Sequence, residues 1–315
     1  MAFTAFRGMN PWSQLIMTAF VILVSFLVLF LLAIVAAIPV IGLNEMLSSL
    51  SGGNWDDPGT IMILKYFQVV QSVGLFVLPP LVVAWLFDGN IARYLRLNTK
   101  VSKQVVGLAV FSLLAFAPFV TMVGKWNSDM SLPGFLSGME EWMRTMETQA
   151  EQLIDRFIRV ETTGGLLFNL FMIAVIPAVG EEFLFRGVIQ KIFTKISRNY
   201  HWGIWISSFL FSALHMQFFG FVPRLLLGAL FGYILVYSGS LWLPVLCHFV
   251  NNALGVLSLH AASRGNEQVE RIFNFEFGDS SIYLWPLAAI SLWLTYILIR
   301  AMKKAGPVNE LVVKE

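Results

Sequence analysis

Gly180-Glu181-Glu182-Phe183-Leu184-Phe185-Arg186-Gly187 lies inside an apolar run that extends from about Leu166 to Ile196. A run of that length is enough to cross the hydrocarbon core of a bilayer. The segment therefore reads as a membrane-spanning helix with three charges in its middle. Insertion scales put a charge at the centre of such a helix at roughly 2.5–3.5 kcal/mol, so each one needs a partner or water. Glu182 and Arg186 supply one another, being four residues apart with the acid nearer the N-terminus, the favoured orientation for a pair on one face. Glu181 is turned about 100° away from them and has no partner in its own helix. It is the carboxylate left to face other helices.

Composition supports a membrane setting throughout. The 315 residues are 57% hydrophobic and 13% charged, with a mean hydropathy of +0.73. Soluble domains carry about 25% charged residues. The class is all-α, a polytopic bundle of about eight transmembrane helices. A formal charge of +2 gives no reason to expect a nucleic-acid partner. Cys247 is the single cysteine, which excludes an internal disulfide and a cysteine-rich metal cluster.

Outward from the charged stretch, the chain divides into three regions. Residues 1–164 hold three spans, about Leu15–Leu43, Ile61–Phe87 and Val105–Val123, followed by a hydrophilic insert. Pro79-Pro80 is expected to kink the second span. Within the insert, Met139–Val160 has the periodicity of an amphipathic helix lying on the membrane surface or of a solvated helical loop. Residues 165–260 hold spans four to seven, with the fifth at about Trp202–Phe219, the sixth at Phe221–Tyr237 and the seventh at Leu241–Leu259. Very short turns at Gly220 and Ser238-Gly239-Ser240 make these three antiparallel neighbours. Residues 261–315 hold a loop, an eighth span from about Ile282 to Ile299, and a tail.

Twelve basic residues fall on the side of the termini and six on the other, so the positive-inside rule places both termini in the cytoplasm, in a cell inner membrane. Arg224, near the outer end of the sixth span, is expected to snorkel towards headgroups. Gly228 and Gly232 form a Gly-x-x-x-Gly suited to close packing inside the bundle.

Two later spans each set an imidazole in apolar surroundings: Phe211-Ser-Ala-Leu-His215, and His248-Phe-Val-Asn-Asn252, where His248 and Asn252 share a helical face. At a rise of about 1.5 Å per residue, Glu181, His215 and His248 roughly converge at mid-depth or slightly towards the cytoplasm, in a wet pocket sunk below that surface. One chemical reading is hydrolytic: Glu181 with His215 deprotonates a water, while His248 and Asn252 donate to a developing oxyanion. No cofactor is needed for it. A second reading uses Glu181, His215 and His248 as zinc ligands, although no His-Glu-x-x-His is present. A third leaves the charged groups as structural partners in a non-catalytic membrane immunity or scaffold protein.

Glu-Glu-x-x-x-Arg, then Phe-x-x-x-His, then His-x-x-x-Asn, in order on successive membrane helices, resembles the CPBP family, also called the Abi or CAAX-protease family. The resemblance covers about residues 165–260. It implies an intramembrane endopeptidase, similar to the type II CAAX prenyl endopeptidases that remove the last three residues of prenylated proteins. Glu181 takes the place of the catalytic glutamate, Glu182 and Arg186 complete the first motif, His215 matches the second, and His248 with Asn252 the third. The partners implied are a peptide or lipidated-protein substrate and the bilayer itself.

Overall fold

The computed structural model describes residues 6–52, 54–266, 268–269 and 284–307. Among these, every regular element is helical. The bundle comprises α1 (Pro11–Ile41), α2 (Leu43–Leu50), α3 (Pro58–Asp88), α4 (Lys103–Ser128), α5 (Ser137–Ile158), α6 (Thr163–Ser197), α7 (Tyr200–Ala213), α8 (Phe221–Ser238), α9 (Trp242–Ser263) and α10 (Leu284–Ala305). Asn10, Asp57, Ser102 and Thr162 cap the starts of α1, α3, α4 and α6 by accepting a backbone N–H, satisfying donors that a helix start leaves unpaired. Large apolar side chains such as Leu31, Val35, Phe111 and Trp293 stay exposed on the outside of the bundle, as contact with lipid requires. Arg271, Lys314 and the expected start of the eighth span at Ile282 lie outside the described residues.

Among the described residues, seven helices are long and apolar enough to cross a bilayer. The expected fifth span differs from the rest. α7 has 14 residues, about 21 Å of helix, and it ends at Ala213 rather than running to Phe219. Leu214 closes it, and Met216 takes a left-handed conformation with φ 54°. His215 therefore sits on irregular backbone, which membrane depth tolerates only where it is buried in protein or lines a cavity.

Arg7 at the start of α1, Gly89 at the end of α3, and Gly306 against the carbonyl of Tyr237 at the end of α8 all meet at one end of the bundle. This end also holds Lys191, whose Nζ donates to the Tyr94 carbonyl at 3.1 Å, and Lys195, whose Nζ donates to Gln14 Oε1 at 3.3 Å. It is the basic end of the molecule. α2 and α5 lie at the opposite end.

The expected helix of the insert forms as α5, and it is tied to the bundle. Its last turn is pinned to the bundle: Lys65 Nζ donates to the Phe157 carbonyl at 2.9 Å and to Asn169 Oδ1 at 2.8 Å, while Asn169 Nδ2 donates to the same carbonyl at 2.6 Å. Arg156 pairs with Asp56 at 2.6 Å, and Glu147 Oε2 accepts the Phe219 N–H at 3.2 Å. The apolar side chains of Leu153, Ile154 and Phe157 line a cavity in the protein. A strap held by a half-buried lysine and a buried asparagine has no signature in its own hydrophobic periodicity.

The helices that build the site are not regular α-helix throughout. Wider π turns occupy Val73–Val77 in α3 and both Leu170–Val175 and Phe185–Ile189 in α6. They lie next to Pro79-Pro80, Pro177 and the charged stretch, where proline removes backbone donors and the ladder must readjust. Gly180 lets these segments meet, since a Cβ there would lie 2.9 Å from side-chain atoms of both Phe76 and Val77.

Candidate active site

The charged stretch is buried as a unit. Glu182 is 0% exposed, Arg186 1%, His248 4% and Glu181 9%. Arg186 donates from Nη1 to Glu182 Oε1 at 2.8 Å and from Nη2 to the Gly228 carbonyl at 3.1 Å. Its guanidinium lies 4.6 Å from the ring centre of Phe211 and 5.6 Å from that of Phe231, a cation–π sandwich inside the bundle. The pair predicted from spacing alone therefore forms. So does the inward use of the Gly-x-x-x-Gly: Gly228 and Gly232 give α8 a flat face against α6 and α7 and offer their carbonyls to Arg186 and Gln190.

His248 joins α9 to this pair. Its Nδ1 donates to Glu182 Oε1 at 2.8 Å, because a carboxylate can only accept. That bond fixes the ring, leaving Nε2 3.8 Å from Glu181 Oε2, and the imidazole stacks on Phe231 with ring centres 5.4 Å apart. The result is a chain from Arg186 through Glu182 and His248 to Glu181, of the kind in which one group orients the next.

Glu181 has the place expected for a carboxylate without a same-helix partner. It lines a cavity of about 480 Å³, together with His215, Gln68, Gln71 and Ser72, and apolar side chains of α1, α3, α5, α6 and α7. This is within the usual range for a ligand pocket, about 300–1,000 Å³. His215 is held by Nδ1, which donates to the Phe211 carbonyl at 2.8 Å. Glu182, Arg186, His248 and Asn252 form the layer behind this surface and are absent from the cavity wall.

Two expectations need correction. The pocket does not open below the basic end: its wall runs from Ile22, Phe76 and Glu181 to Ala150, Leu153 and Phe157 of α5, at the opposite end. Counting rise along a helix locates a residue's depth but says nothing about which way the gap between helices opens. Arg224 does not snorkel either, because its Nη2 donates to Gln217 Oε1 at 2.7 Å and its Nη1 to the Gln217 carbonyl at 3.4 Å. It closes the loop that carries His215.

Asn252 has an unforeseen partner. Its Nδ2 donates to the Ile173 carbonyl at 3.3 Å. Ile173 lies four residues before Pro177, whose missing N–H would otherwise have served that carbonyl. Asn252 thus fills the gap that Pro177 opens and ties α9 to α6. Sequence reasoning had also passed over Lys65, Asn169, Gln190 and Tyr94. The first two were discoverable as a lysine and an asparagine inside apolar runs, and Gln190 as the next residue of the Glu182, Arg186 stripe.

For zinc, the donor set is a poor fit. His248 and His215 each donate from Nδ1 to an oxygen and leave Nε2 free, but among the described residues no three His, Cys, Asp or Glu are grouped to hold a metal ion.

Residues 163–254 match the family described as type II CAAX prenyl endopeptidase Rce1-like, which bears out the resemblance read from the three motifs. At the level of the family, this supports an intramembrane endopeptidase of the CAAX-protease type. The chain is 28% identical over 121 residues to the uncharacterized 24.3 kDa protein of Escherichia coli, covering 36% of this chain and 54% of that one. It is 29% identical over 90 residues to the uncharacterized protein YpbD of Bacillus subtilis (strain 168), covering 27% and 43%. The chain thus spans about half the length of the curated relatives it matches. No solved structure matches it.

Proposed function

We propose that this integral membrane protein is an endopeptidase that hydrolyses a peptide bond of a membrane-associated substrate held in the cavity, with Glu181 as the group that activates water. The observation that carries this reading is the placement of Glu181: a carboxylate on the wall of a substrate-sized cavity that His215 also lines, with His248 Nε2 at 3.8 Å.

In this reading, water held by Glu181 and His215 attacks the carbonyl carbon, and its proton passes to the Glu181 carboxylate. The tetrahedral oxyanion that forms is met by His248 carrying a proton on Nε2, its charge balanced by Glu182 on the other nitrogen. When the C–N bond breaks, Glu181 returns the proton to the leaving amine nitrogen, so one water is consumed and no proton is gained or lost. Arg186 and Glu182 act as positioning residues. Asn252 holds α9 in register with α6 through the Ile173 carbonyl.

The apolar share of the cavity wall suits a lipidated or otherwise hydrophobic substrate segment, and the three glutamine and serine groups of α3 suit its backbone. The charge asymmetry supports cytoplasmic termini in an inner membrane, with α5 outside. The test is cleavage of a peptide library by protein in liposomes. Wild type is expected to turn over, and Glu181→Gln and His248→Ala are expected to lose at least 10²-fold, the usual scale for a lost general base. Equal turnover in all three would leave the scaffold reading standing.

A further inference from the structure

Behind the cavity, on the other side of the ion pair, α6 carries a polar stripe at four-residue spacing: Glu182, Arg186, Gln190 and Thr194. Over those 12 residues it runs on the order of 18 Å, from the site towards the basic end. Four buried side-chain polar atoms of the described residues have no hydrogen-bond partner: Glu182 Oε2, Arg186 Nε, Gln190 Oε1 and Tyr94 Oη. Three of these belong to the stripe. The fourth belongs to Tyr94, which is 4% exposed and packs beside it.

Three of these orphan-bearing side chains, Tyr94, Arg186 and Gln190, share one place. Tyr94, Arg186, Gln190 and Thr194, with Arg96 and Lys191 at the basic end, line a small cavity of about 40 Å³. Gly232 accepts Gln190 Nε2 at 3.3 Å and Gly228 accepts Arg186 Nη2, which leaves Gln190 Oε1 and Arg186 Nε facing elsewhere. A buried polar atom left dry carries its full desolvation penalty. A water needs about 10–15 Å³ of such space and two to four polar partners, so this cavity has room for about three waters and not for a phosphate.

We propose that this stripe is a water inlet, a short hydrated column that connects the basic face with the Glu182–Arg186 pair at the back of the site. The inference rests on the hydrolytic reading in one respect: each bond cleaved consumes a water, and a substrate filling the large cavity under α5 blocks the front approach. The column supplies that water from behind. It also offers partners to Tyr94 Oη, Gln190 Oε1 and Arg186 Nε, buried atoms with no hydrogen-bond partner among the described residues.

The test is radiolytic hydroxyl-radical labelling of the wild-type protein in liposomes, preceded by rapid mixing with H2(18)O. The probe is water itself. Tyr94 is expected to be oxidised at least tenfold faster than Phe116, which is 6% exposed in an apolar cluster, and to take up the heavy isotope as fast as surface residues do. Labelling of Tyr94 no faster than Phe116 means a dry cavity and overturns the inlet. Labelling with only light oxygen means sealed water and overturns it equally.

Gln190→Leu and, separately, Thr194→Val are expected to reduce Tyr94 labelling and to lower kcat about tenfold with KM unchanged. A column without a role in turnover leaves kcat as it was. If wild type cleaves no peptide, the hydrolytic reading falls, while the labelling arm still decides whether the column exists.

Discussion

Replacing Arg186 with methionine removes a buried charge while keeping an aliphatic stem against Phe211 and Phe231. Glu182 then retains only the His248 Nδ1–H at 2.8 Å as a partner for a carboxylate that is fully buried. Breaking a buried pair from one side costs about 3–5 kcal/mol, because the remaining charge stays desolvated. At about 1.4 kcal/mol per tenfold, that is a loss of roughly 10²-fold to several thousand-fold in the folding equilibrium. The double variant Glu182→Leu/Arg186→Met removes both charges and leaves the His248 N–H without its acceptor, a smaller loss of about 1–3 kcal/mol. The expected coupling between the two sites is therefore at least about 2 kcal/mol, with the double variant more stable than Arg186→Met alone. Steric-trap unfolding in bicelles measures each of these. An Arg186→Met cost under about 1 kcal/mol, or losses that simply add, would refute the view that each of these two buried charges depends on the other.

Three further predictions address the parts around it. Gly180→Ala places a methyl 2.9 Å from Phe76 and Val77 side-chain atoms and is expected to destabilise by about 1–3 kcal/mol, read by the same unfolding assay; an unchanged equilibrium would mean that α3 and α6 are not in close contact. Asn252→Ala leaves the Ile173 carbonyl without its donor, and Pro177→Ala restores a backbone N–H to the same helix, so the double variant is expected to recover stability that Asn252→Ala loses; a double variant worse than either single one would break the link between the two residues. Lys65→Met frees one anchor of the Phe157 carbonyl, so amide exchange across residues 150–158 is expected to speed up at least tenfold, whereas unchanged exchange would mean that the strap is held by other contacts.

Much of the fold was legible because the bilayer leaves few options: long apolar runs must become helices, and the first four, the sixth and the seventh did so within a few residues of their expected ends. The Glu182–Arg186 pair was legible because both partners lie on one helix. What the sequence could not convey is what crosses between helices. The bond between Glu182 and His248 joins residues 66 apart in the chain, and Lys65 reaches Phe157 across 92. Nothing in either local pattern encodes these distances. The direction in which the cavity opens depends on where α3 and α5 leave a gap, a property of packing and not of any one segment. His215 fell outside its helix because the loop through Met216 and Gln217, closed by Arg224, gives the chain another way to turn.

The central claim is that Glu181, and not its buried neighbour Glu182, handles the water. Single-turnover cleavage of a peptide in H2(18)O by wild type and by Glu181→Gln, with both proteins first matched for unfolding stability, tests it directly. The account predicts one heavy oxygen in the new carboxyl terminus made by wild type and a rate at least 10²-fold lower for Glu181→Gln. A stable Glu181→Gln protein that cleaves at the wild-type rate would contradict it.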